Sequence, residues 1–118
     1  MITAQERVHG FRYREAIAEG FVLEVDAFHH QMRRLPRPSE IMRFMGRGRA
    51  AEMVEEVEIT WHVSLNGIRV GLLRPTPNGR GVRWGHQLFQ GKSVVEAAQV
   101  VARREIARRV EARNGGKL

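Results

Sequence analysis

The sequence of 118 residues contains no cysteine, so neither disulfides nor thiolate metal sites can form. A chain without disulfides fits the reducing cytoplasm, and we expect it there. No apolar run approaches the roughly 20 residues of a membrane-spanning helix, and the first residues do not have the pattern of a secretory signal. We therefore expect no membrane partner. Apolar residues make up 42% of the chain, which is sufficient for one packed core.

Acidic residues are missing from one long segment. Between Ile59 and Val95 there is no Asp or Glu, and the segment carries a charge of +5. Residues 27–51 carry another +5, and the acidic segment 52–58, at −4, lies between the two in a chain of net charge +7. Basic segments favour a polyanionic partner, because binding to phosphates releases counterions. The alternative is that this charge only aids solubility or contacts another protein.

Two helices are predicted in the first 35 residues. Thr3-Ala4-Gln5-Glu6 has the spacing of a capping box, and Gly20 suits a helix C-terminus. We predict a helix between them that packs on the core or contributes a homodimer contact. The stretch Phe21–Val25 has a β-like composition but is short. Asp26 is expected to cap a second helix, whose apolar side chains continue to Leu35.

Residues 33–50 form an arginine-rich segment with six arginines. Pro38-Ser39 suits the start of a short helix, Gly46 suits its end, and a second helical pattern runs from Ala50 to Val57. Helix, glycine turn and helix are typical of a helix-turn-helix motif. Residues 52–58 contain four glutamates, which phosphates repel, so the expected phosphate contacts lie at the junction. The residues expected to make them are Arg43, Arg47 and Arg49.

The spacing of a few residues in this region is that of a known DNA-binding region. They are Pro36, Pro38, the Gly46-Arg47-Gly48 turn and Trp61. On these residues, the stretch 21–61 resembles the N-terminal DNA-binding region of the KfrA family of plasmid proteins. The resemblance implies a helix-turn-helix on a mobile genetic element, with Arg47 and Arg49 facing DNA. At Arg49 the family usually has serine.

The second half of the chain has the clearest strand pattern. Apolar and polar residues alternate over Val57–Leu65, and Asn66-Gly67 is typical of a type I′ hairpin turn. The returning strand is predicted over Ile68–Leu73, and a third strand over Val82–Phe89. The side chains expected to face the core are Val57, Ile59, Trp61, Val63, Leu65, Ile68, Val70, Leu72, Val82, Trp84 and Leu88.

A C-terminal helix completes the predicted fold. Ser93-Val94-Val95-Glu96 has capping-box spacing, and Asn114-Gly115-Gly116 suits the helix end. We predict an α+β fold with N-terminal helices that include a helix-turn-helix, followed by a three-stranded antiparallel sheet packed on the C-terminal helix. Residues 1–56 and 57–118 form the two parts of one compact unit. The second part is faintly similar to the sheet-plus-helix layout of AP2 and integrase arm-binding domains over residues 57–113.

The sheet face that this helix leaves open is a candidate interface. By alternation it presents Thr60, His62, Ser64, Arg69, Arg83 and Gln87. Such side chains contact phosphates and base edges in DNA, although a polar sheet face can equally be an ordinary solvated surface. Gly71 and Gly85 are expected on the same face, where the absence of a side chain would let a ligand approach the backbone closely. Arg74, Arg80 and Lys92 are expected in flanking loops.

Catalysis and metal binding are not expected. Gly79-Arg80-Gly81 lacks the Lys-Ser/Thr of a phosphate-binding loop. His62 and Ser64 have no carboxylate nearby in sequence to orient the imidazole. Asp26 with His29-His30 is too small a cluster for a metal site, and no cofactor is predicted.

The expected function is therefore that of a small, basic, non-catalytic protein that binds double-stranded DNA. We expect a regulator or accessory factor of phage or plasmid type. The alternative is a phage-type inhibitor or adaptor that acts on a host nucleic-acid-binding complex, with the acidic segment 52–58 as its contact. RNA binding through the same sheet is a third option.

Overall fold

The computed structural model describes residues 1–36, 38 and 54–115. These residues contain six antiparallel strands in the sheet order β1-β2-β3-β4-β5-β6, a short 3-10 turn and one long α-helix, and Pro38 is also helical. The elements are the turn Gln5–Arg7, β1 (Arg12–Ala18), β2 (Phe21–Arg34), β3 (Val54–Leu65), β4 (Ile68–Pro75), β5 (Val82–Trp84), β6 (Gln87–Phe89) and α1 (Val94–Gly115). The chain divides into two compact units, one comprising Met1–Phe28 with Ile59–Leu118 and the other His29–Glu58.

In the first unit, β1 and β2 form a hairpin around Glu19-Gly20. Its register runs from Arg12 opposite Asp26 to Ala18 opposite Phe21, with an irregularity between Ala16 and Ala18. Gly20 has a φ of +79°, which glycine adopts without the clash of a Cβ atom. The turn therefore depends on this glycine.

The hairpin between β3 and β4 turns at Asn66-Gly67, where φ is +51° and +80°. Both positive angles are those of a type I′ turn, as the sequence predicts. The Asn66 side chain accepts a hydrogen bond from the Val22 amide at 2.9 Å and donates one to the Gly20 carbonyl at 2.9 Å. Asn66 thus ties the ends of the two hairpins together.

The helix α1 packs on one face of this sheet. The predicted capping box is confirmed, because the Ser93 amide donates to Glu96 Oε1 at 3.0 Å and the Glu96 amide donates to Ser93 Oγ at 3.2 Å. The helix buries Ala97, Ala98, Val101 and Ala102. A Cβ atom at Gly71 would lie 3.0 Å from Cγ1 of Val101, so glycine permits the close approach of β4 and α1.

A buried carboxylate links the N-terminal turn to the start of α1. Glu6 is only 3% exposed, and its Oε2 accepts a hydrogen bond from the Val95 amide at 2.8 Å. Its Oε1 accepts from the Thr3 amide at 2.8 Å, and its carbonyl accepts from Trp61 Nε1 at 2.8 Å. A negative charge at a helix N-terminus is stabilised by the free amides and the helix dipole. Glu6 is therefore a structural residue of the core.

A second polar link joins β1 to α1. Glu15 Oε1 accepts hydrogen bonds from Gln99 Nε2 at 2.8 Å and from the Tyr13 hydroxyl at 2.9 Å. These bonds, that of Gln99 first, hold the pKa of Glu15 below its ordinary value. The bond to Glu15 raises the pKa of Tyr13. At neutral pH the Glu15 carboxylate is therefore ionised and the Tyr13 hydroxyl is protonated, and both states favour this contact.

The second unit contains the distal parts of β2 and β3, residues 29–34 and 54–58. Two ion pairs connect them, Arg33 to Glu55 at 3.6 Å and Arg34 to Glu56 at 2.7 Å. Among the described residues of this unit, three apolar side chains are exposed. They are Met32, Leu35 and Val57.

The predicted helical N-terminal half is wrong. A single 3-10 turn follows Thr3, and the rest of the predicted first helix is β1 and its turn. The predicted second helix, from Asp26 to Leu35, is part of the 14-residue strand β2 up to Arg34. The apolar spacing there fits a helix, but alternating burial at Leu23 and Val25 continues a strand.

The predicted helix-turn-helix is also contradicted. Its second helix was expected to run to Val57, but the described residues 54–57 belong to β3. Residues 39–53, which include the rest of the motif, lie outside the described part of the chain.

The sheet has six strands where three were predicted. The expected third strand is two short strands, β5 and β6, which pair across the Gly85-His86 turn. Five predicted core residues are buried, namely Ile59, Trp61, Val63, Leu65 and Val82. Val57 and Ile68 are instead 60% and 65% exposed. A register shift between Val63 and Ser64 places Leu73 opposite Trp61, so Leu73 rather than Leu72 is fully buried.

Candidate nucleic-acid interface

The first unit's sheet has one face against α1 and one open face. Cross-strand partners share a face, and residues two apart on a strand do too. Leu23, Val25, Trp61 and Val63 are buried on the helix side, so their strand neighbours lie on the open face. We define the open face by Arg12, Arg14, Glu24, Asp26, Phe28, His62, Ser64, Arg69, Leu72, Arg74 and Arg83.

On β1 and β2, each arginine of the open face lies opposite a carboxylate. Arg12 Nε lies 2.8 Å from Asp26 Oδ1, and Arg14 Nε lies 3.9 Å from Glu24 Oε1. These residues are also cross-strand partners in the sheet register. We call this region the paired part. Its positive charges are balanced within the chain.

On β3, β4 and β5, the open face has a different character. Its residues are His62, Ser64, Arg69, Leu72, Arg74 and Arg83, and we call this region the acid-free part. It belongs to the sequence segment between Ile59 and Val95, which contains no carboxylate side chain. Arg69 lies opposite Ser64 across the β3–β4 hairpin. These residues therefore include no carboxylate, although β3 also contains Glu55, Glu56 and Glu58 before Ile59.

Arg74 and Arg83 are direct cross-strand partners. Both are exposed, and they line a cleft of about 330 Å³ together with Leu72, Trp84 and Gly85. Like charges directly opposite each other destabilise a sheet by a few tenths of a kcal/mol, up to about 1 kcal/mol. An anion between the two guanidinium groups would remove this repulsion, because each can donate several hydrogen bonds. The pair is therefore a candidate phosphate-binding site.

Two contacts orient His62, which lies beside this pair. Nη1 of Arg69 is 3.1 Å from His62 Nδ1. Because a guanidinium group can only donate, Nδ1 is the acceptor and the ring proton is on Nε2. The Phe28 ring lies against the imidazole, with 4.2 Å between the ring centroids and 33° between their planes. The two contacts hold His62 in one orientation at the centre of the open face.

Four of the predicted site residues come together on the open face. They are His62, Ser64, Arg69 and Arg83. Thr60 was expected on the same face, but it is only 4% exposed and so is not part of the accessible surface. Arg43, Arg47 and Arg49 lie outside the described residues.

Gln87 lies on the helix side of the sheet, contrary to prediction. It is the cross-strand partner of Trp84 and accepts a hydrogen bond from Arg104 of α1. The Arg104 guanidinium carbon is 5.9 Å from the centroid of the Trp84 ring. The Gly85-His86 turn reverses the chain, so alternation restarts at β6 and Leu88 points outward, 55% exposed. Gly71 also faces the helix, not the open face.

Sequence reasoning missed two residues of this region. Phe28 was assigned to a helix, and Arg74 was assigned to a loop, whereas they belong to β2 and β4. The signal for Phe28 is its position two residues after Asp26, on the face that carries the charged residues of β2. Arg74 follows Leu72 at the same spacing.

Other candidate chemistry finds no support in the described ranges. Within residues 1–36, 38 and 54–115, no three side chains of His, Cys, Asp or Glu come together as a metal site. His29 and His30 are neighbours on a strand, so they point to opposite faces. The one long helix in this part of the chain is not apolar enough to cross a membrane.

No protein-family model, curated protein or solved structure matches the chain. The resemblances of residues 21–61 and 57–113 are therefore untested by comparison. Only the helical fold implied by the first is contradicted, since residues 21–34 form a strand. The candidate interface depends on the geometry of the open face alone.

Proposed function

We propose that the chain is a non-catalytic nucleic-acid-binding protein, and that the acid-free part of the open face binds the phosphate backbone. The observation that carries this proposal is the direct opposition of Arg74 and Arg83 within a segment that has no carboxylate. Half or more of protein–DNA hydrogen bonds go to phosphate and sugar, and arginine is suited to them by its planar, multiple donors. A cytoplasmic location, suggested by the absence of cysteine, fits this role.

The extent of the surface supports a polymer rather than a single small anion. Arg69, His62 and Ser64 continue the polar surface from the arginine pair across β3 and β4. Sheets bind nucleic acid in this way when they present a row of donors to the backbone. The two forms of nucleic acid to be tested are double-stranded DNA and single-stranded DNA.

His62 is not placed as a general base. A histidine that abstracts a proton is usually oriented by a carboxylate or carbonyl oxygen at its other ring nitrogen. Here that nitrogen accepts a hydrogen bond from the Arg69 guanidinium. Positioning and charge, without catalysis, are the functions that this arrangement supports.

A protein partner is the second candidate. The exposed side chains of Met32, Leu35 and Val57 in the second unit favour it, because exposed apolar residues contribute to protein interfaces. The acidic segment is a weaker basis for this candidate than the sequence suggests. Two of its glutamates, Glu55 and Glu56, already pair with arginines of β2.

The test is a fluorescence-anisotropy titration of labelled duplex and single-stranded DNA of mixed sequence over a salt series. We expect the logarithm of the binding constant to fall linearly with the logarithm of salt concentration. In the variant Arg74→Ala/Arg83→Ala, the slope should decrease by about 2 on duplex DNA if each arginine contacts one phosphate. Absence of binding at low salt would overturn the proposal.

The matched control is Arg12→Ala/Arg14→Ala. It removes the same charge from the same face, but from arginines that already have carboxylate partners. We expect its salt slope to stay close to that of the unmodified chain. Equal losses in the two double variants would show that net charge, rather than the acid-free part, determines binding.

A further inference from the structure

We propose that Phe28 and His62 form a stacking platform for an unpaired base, so that the protein prefers single-stranded nucleic acid to duplex. This inference rests on the proposed function, and it names the form of nucleic acid that the same face takes. Phe28 is 44% exposed, and its ring lies 4.2 Å from that of His62, centroid to centroid. An aromatic side chain exposed among arginines is typical of surfaces that bind bases.

The arginines on the two sides of the platform indicate how a single strand of nucleic acid would lie on it. His62 is opposite Leu72 in the register of β3 and β4. Arg74 is two residues beyond Leu72, about 7 Å along β4, and Arg69 lies on the other side of Leu72. The platform therefore has a guanidinium group on each side along the direction of β4, that of Arg69 and that of Arg74. A base on the rings would place its neighbouring phosphates toward these cations.

Apolar surface lines the approach to the platform. Leu72 lies on the open face between the platform and the Arg74–Arg83 pair, and it borders their cleft. A base that leaves water for an aromatic and aliphatic surface gains stacking and dispersion contacts. A duplex keeps its bases stacked on each other, so only its backbone could reach this region. The geometry thus favours a strand whose bases are unpaired.

A hydrogen bond from Arg69 orients the His62 ring of the platform. The Arg69 guanidinium donates a hydrogen bond to Nδ1, and this bond fixes the plane of the imidazole. Arg69 therefore acts as a positioning residue for the ring as well as a cation. Phe28 is the larger stacking surface, and it is the residue whose removal isolates the contribution of the bases.

The experiment compares three labelled probes that share one backbone length. They are a mixed-sequence single strand, the same strand in a duplex, and a strand in which the central nucleotides are abasic. The abasic strand keeps its phosphates but cannot stack. We expect the intact single strand to bind the full-length protein tighter than either of the other probes, with a salt slope similar to that of the abasic strand.

Variants at Phe28 assign the preference to the platform. Phe28→Ala should weaken binding to the single strand roughly 5- to 100-fold and leave binding to the abasic strand within about twofold. Phe28→Tyr keeps a ring and should retain the preference, whereas Phe28→Leu keeps apolar volume without an aromatic face and should lose it. Val110→Ala, at a side chain of similar exposure on α1, is the control and should have no effect.

The outcomes separate the two proposals. If Phe28→Leu binds the intact strand as tightly as the unmodified protein, or the abasic strand binds equally well, the platform is refuted. Salt-dependent binding that requires Arg74 and Arg83 would then still support the proposed function. Absence of binding to all three probes would refute both.

Discussion

The open face of the sheet carries arginines in two regions, and their cross-strand partners differ. In the paired part, Arg12 and Arg14 lie opposite Asp26 and Glu24. In the acid-free part, Arg74 lies opposite Arg83. The first arrangement balances charge inside the chain, whereas the second places two cations together. The number of arginines on a surface is thus a poor guide to binding, and the residue across the strand is a better one.

The largest expected effect is a loss of stability in a variant that tests whether both regions depend on the same folded sheet. Glu6→Ala removes the carboxylate that accepts hydrogen bonds from the Val95 and Thr3 amides. Leaving these partly buried groups without their charged partner should lower the free energy of unfolding by about 3 kcal/mol. Chemical denaturation with urea, followed by circular dichroism, measures this change.

Below its unfolding transition, the Glu6→Ala variant should still bind DNA as the unmodified chain does. The control is Glu19→Ala, at an exposed turn residue, which should leave stability within about 0.5 kcal/mol. A full loss of binding in fully folded Glu6→Ala would mean that the N-terminal turn, not the acid-free part, contributes to the interface.

The next effect comes from converting the acid-free part into the arrangement of the paired part. Arg83→Glu places a carboxylate directly opposite Arg74, as Asp26 lies opposite Arg12. Binding to DNA at low salt should weaken at least about tenfold, and the salt slope should decrease by 1 to 2. Stability should rise by about 0.5 kcal/mol, because an opposite-charge pair replaces a like-charge pair.

A gain of stability with a loss of binding is the pattern that identifies a functional arginine pair. Arg80→Glu is a suitable control, since it makes the same charge change in the loop that precedes β5. Should both variants weaken binding equally, the cross-strand pair would have no special role.

The reverse conversion should have a smaller effect. Glu24→Gln/Asp26→Asn removes the carboxylate partners of Arg14 and Arg12. We expect DNA affinity at low salt to rise about threefold and the salt slope to become steeper, because two more cations become available to phosphate. Anisotropy titration measures both quantities. An unchanged affinity and slope would show that nucleic acid does not extend to the paired part.

The features that short sequence patterns determine could be predicted from the sequence. Asn66-Gly67 forms the expected turn, Ser93 and Glu96 form the expected capping box, and Trp61 is buried. In each case the interaction that decides the structure lies within a few residues or on one alternating strand. The open-face positions of His62 and Arg69 follow from the same alternation.

The N-terminal half could not be predicted because its local signals are satisfied in another way. The Thr3–Glu6 capping box does form, with the Glu6 amide donating to Thr3 Oγ1 at 3.2 Å. Only one 3-10 turn follows, and the other carboxylate oxygen of Glu6 caps α1, which begins 88 residues later at Val94. A tertiary partner thus overrides the local helix signal. In β2, the spacing of Phe28 and Met32 is compatible with a helix, but these residues continue the strand that lies between β1 and β3 in the sheet.

The smallest effect concerns α1, where a carboxylate again balances arginines. Glu105 accepts hydrogen bonds from Arg108 at 2.6 Å and from Arg109 at 3.0 Å. The bond from Arg108 and then that from Arg109 lower the pKa of Glu105 to about 2, from an ordinary value of 4.5. Because the pKa is lowered by folding, this stabilisation is present above about pH 4.5 and is lost as the pH falls toward 2.

Glu105→Gln should therefore lower stability by only about 0.5 kcal/mol at pH 7, since Arg108 is largely exposed and solvent screens the pair. The difference between the variant and the unmodified chain should disappear near pH 2, as measured by urea denaturation at each pH. The same variant leaves the charge of Arg108 and Arg109 unbalanced on the helix side of the sheet. If nucleic acid binds the open face, its affinity should stay within about twofold, whereas a gain as large as that of Glu24→Gln/Asp26→Asn would place the interface on α1 instead.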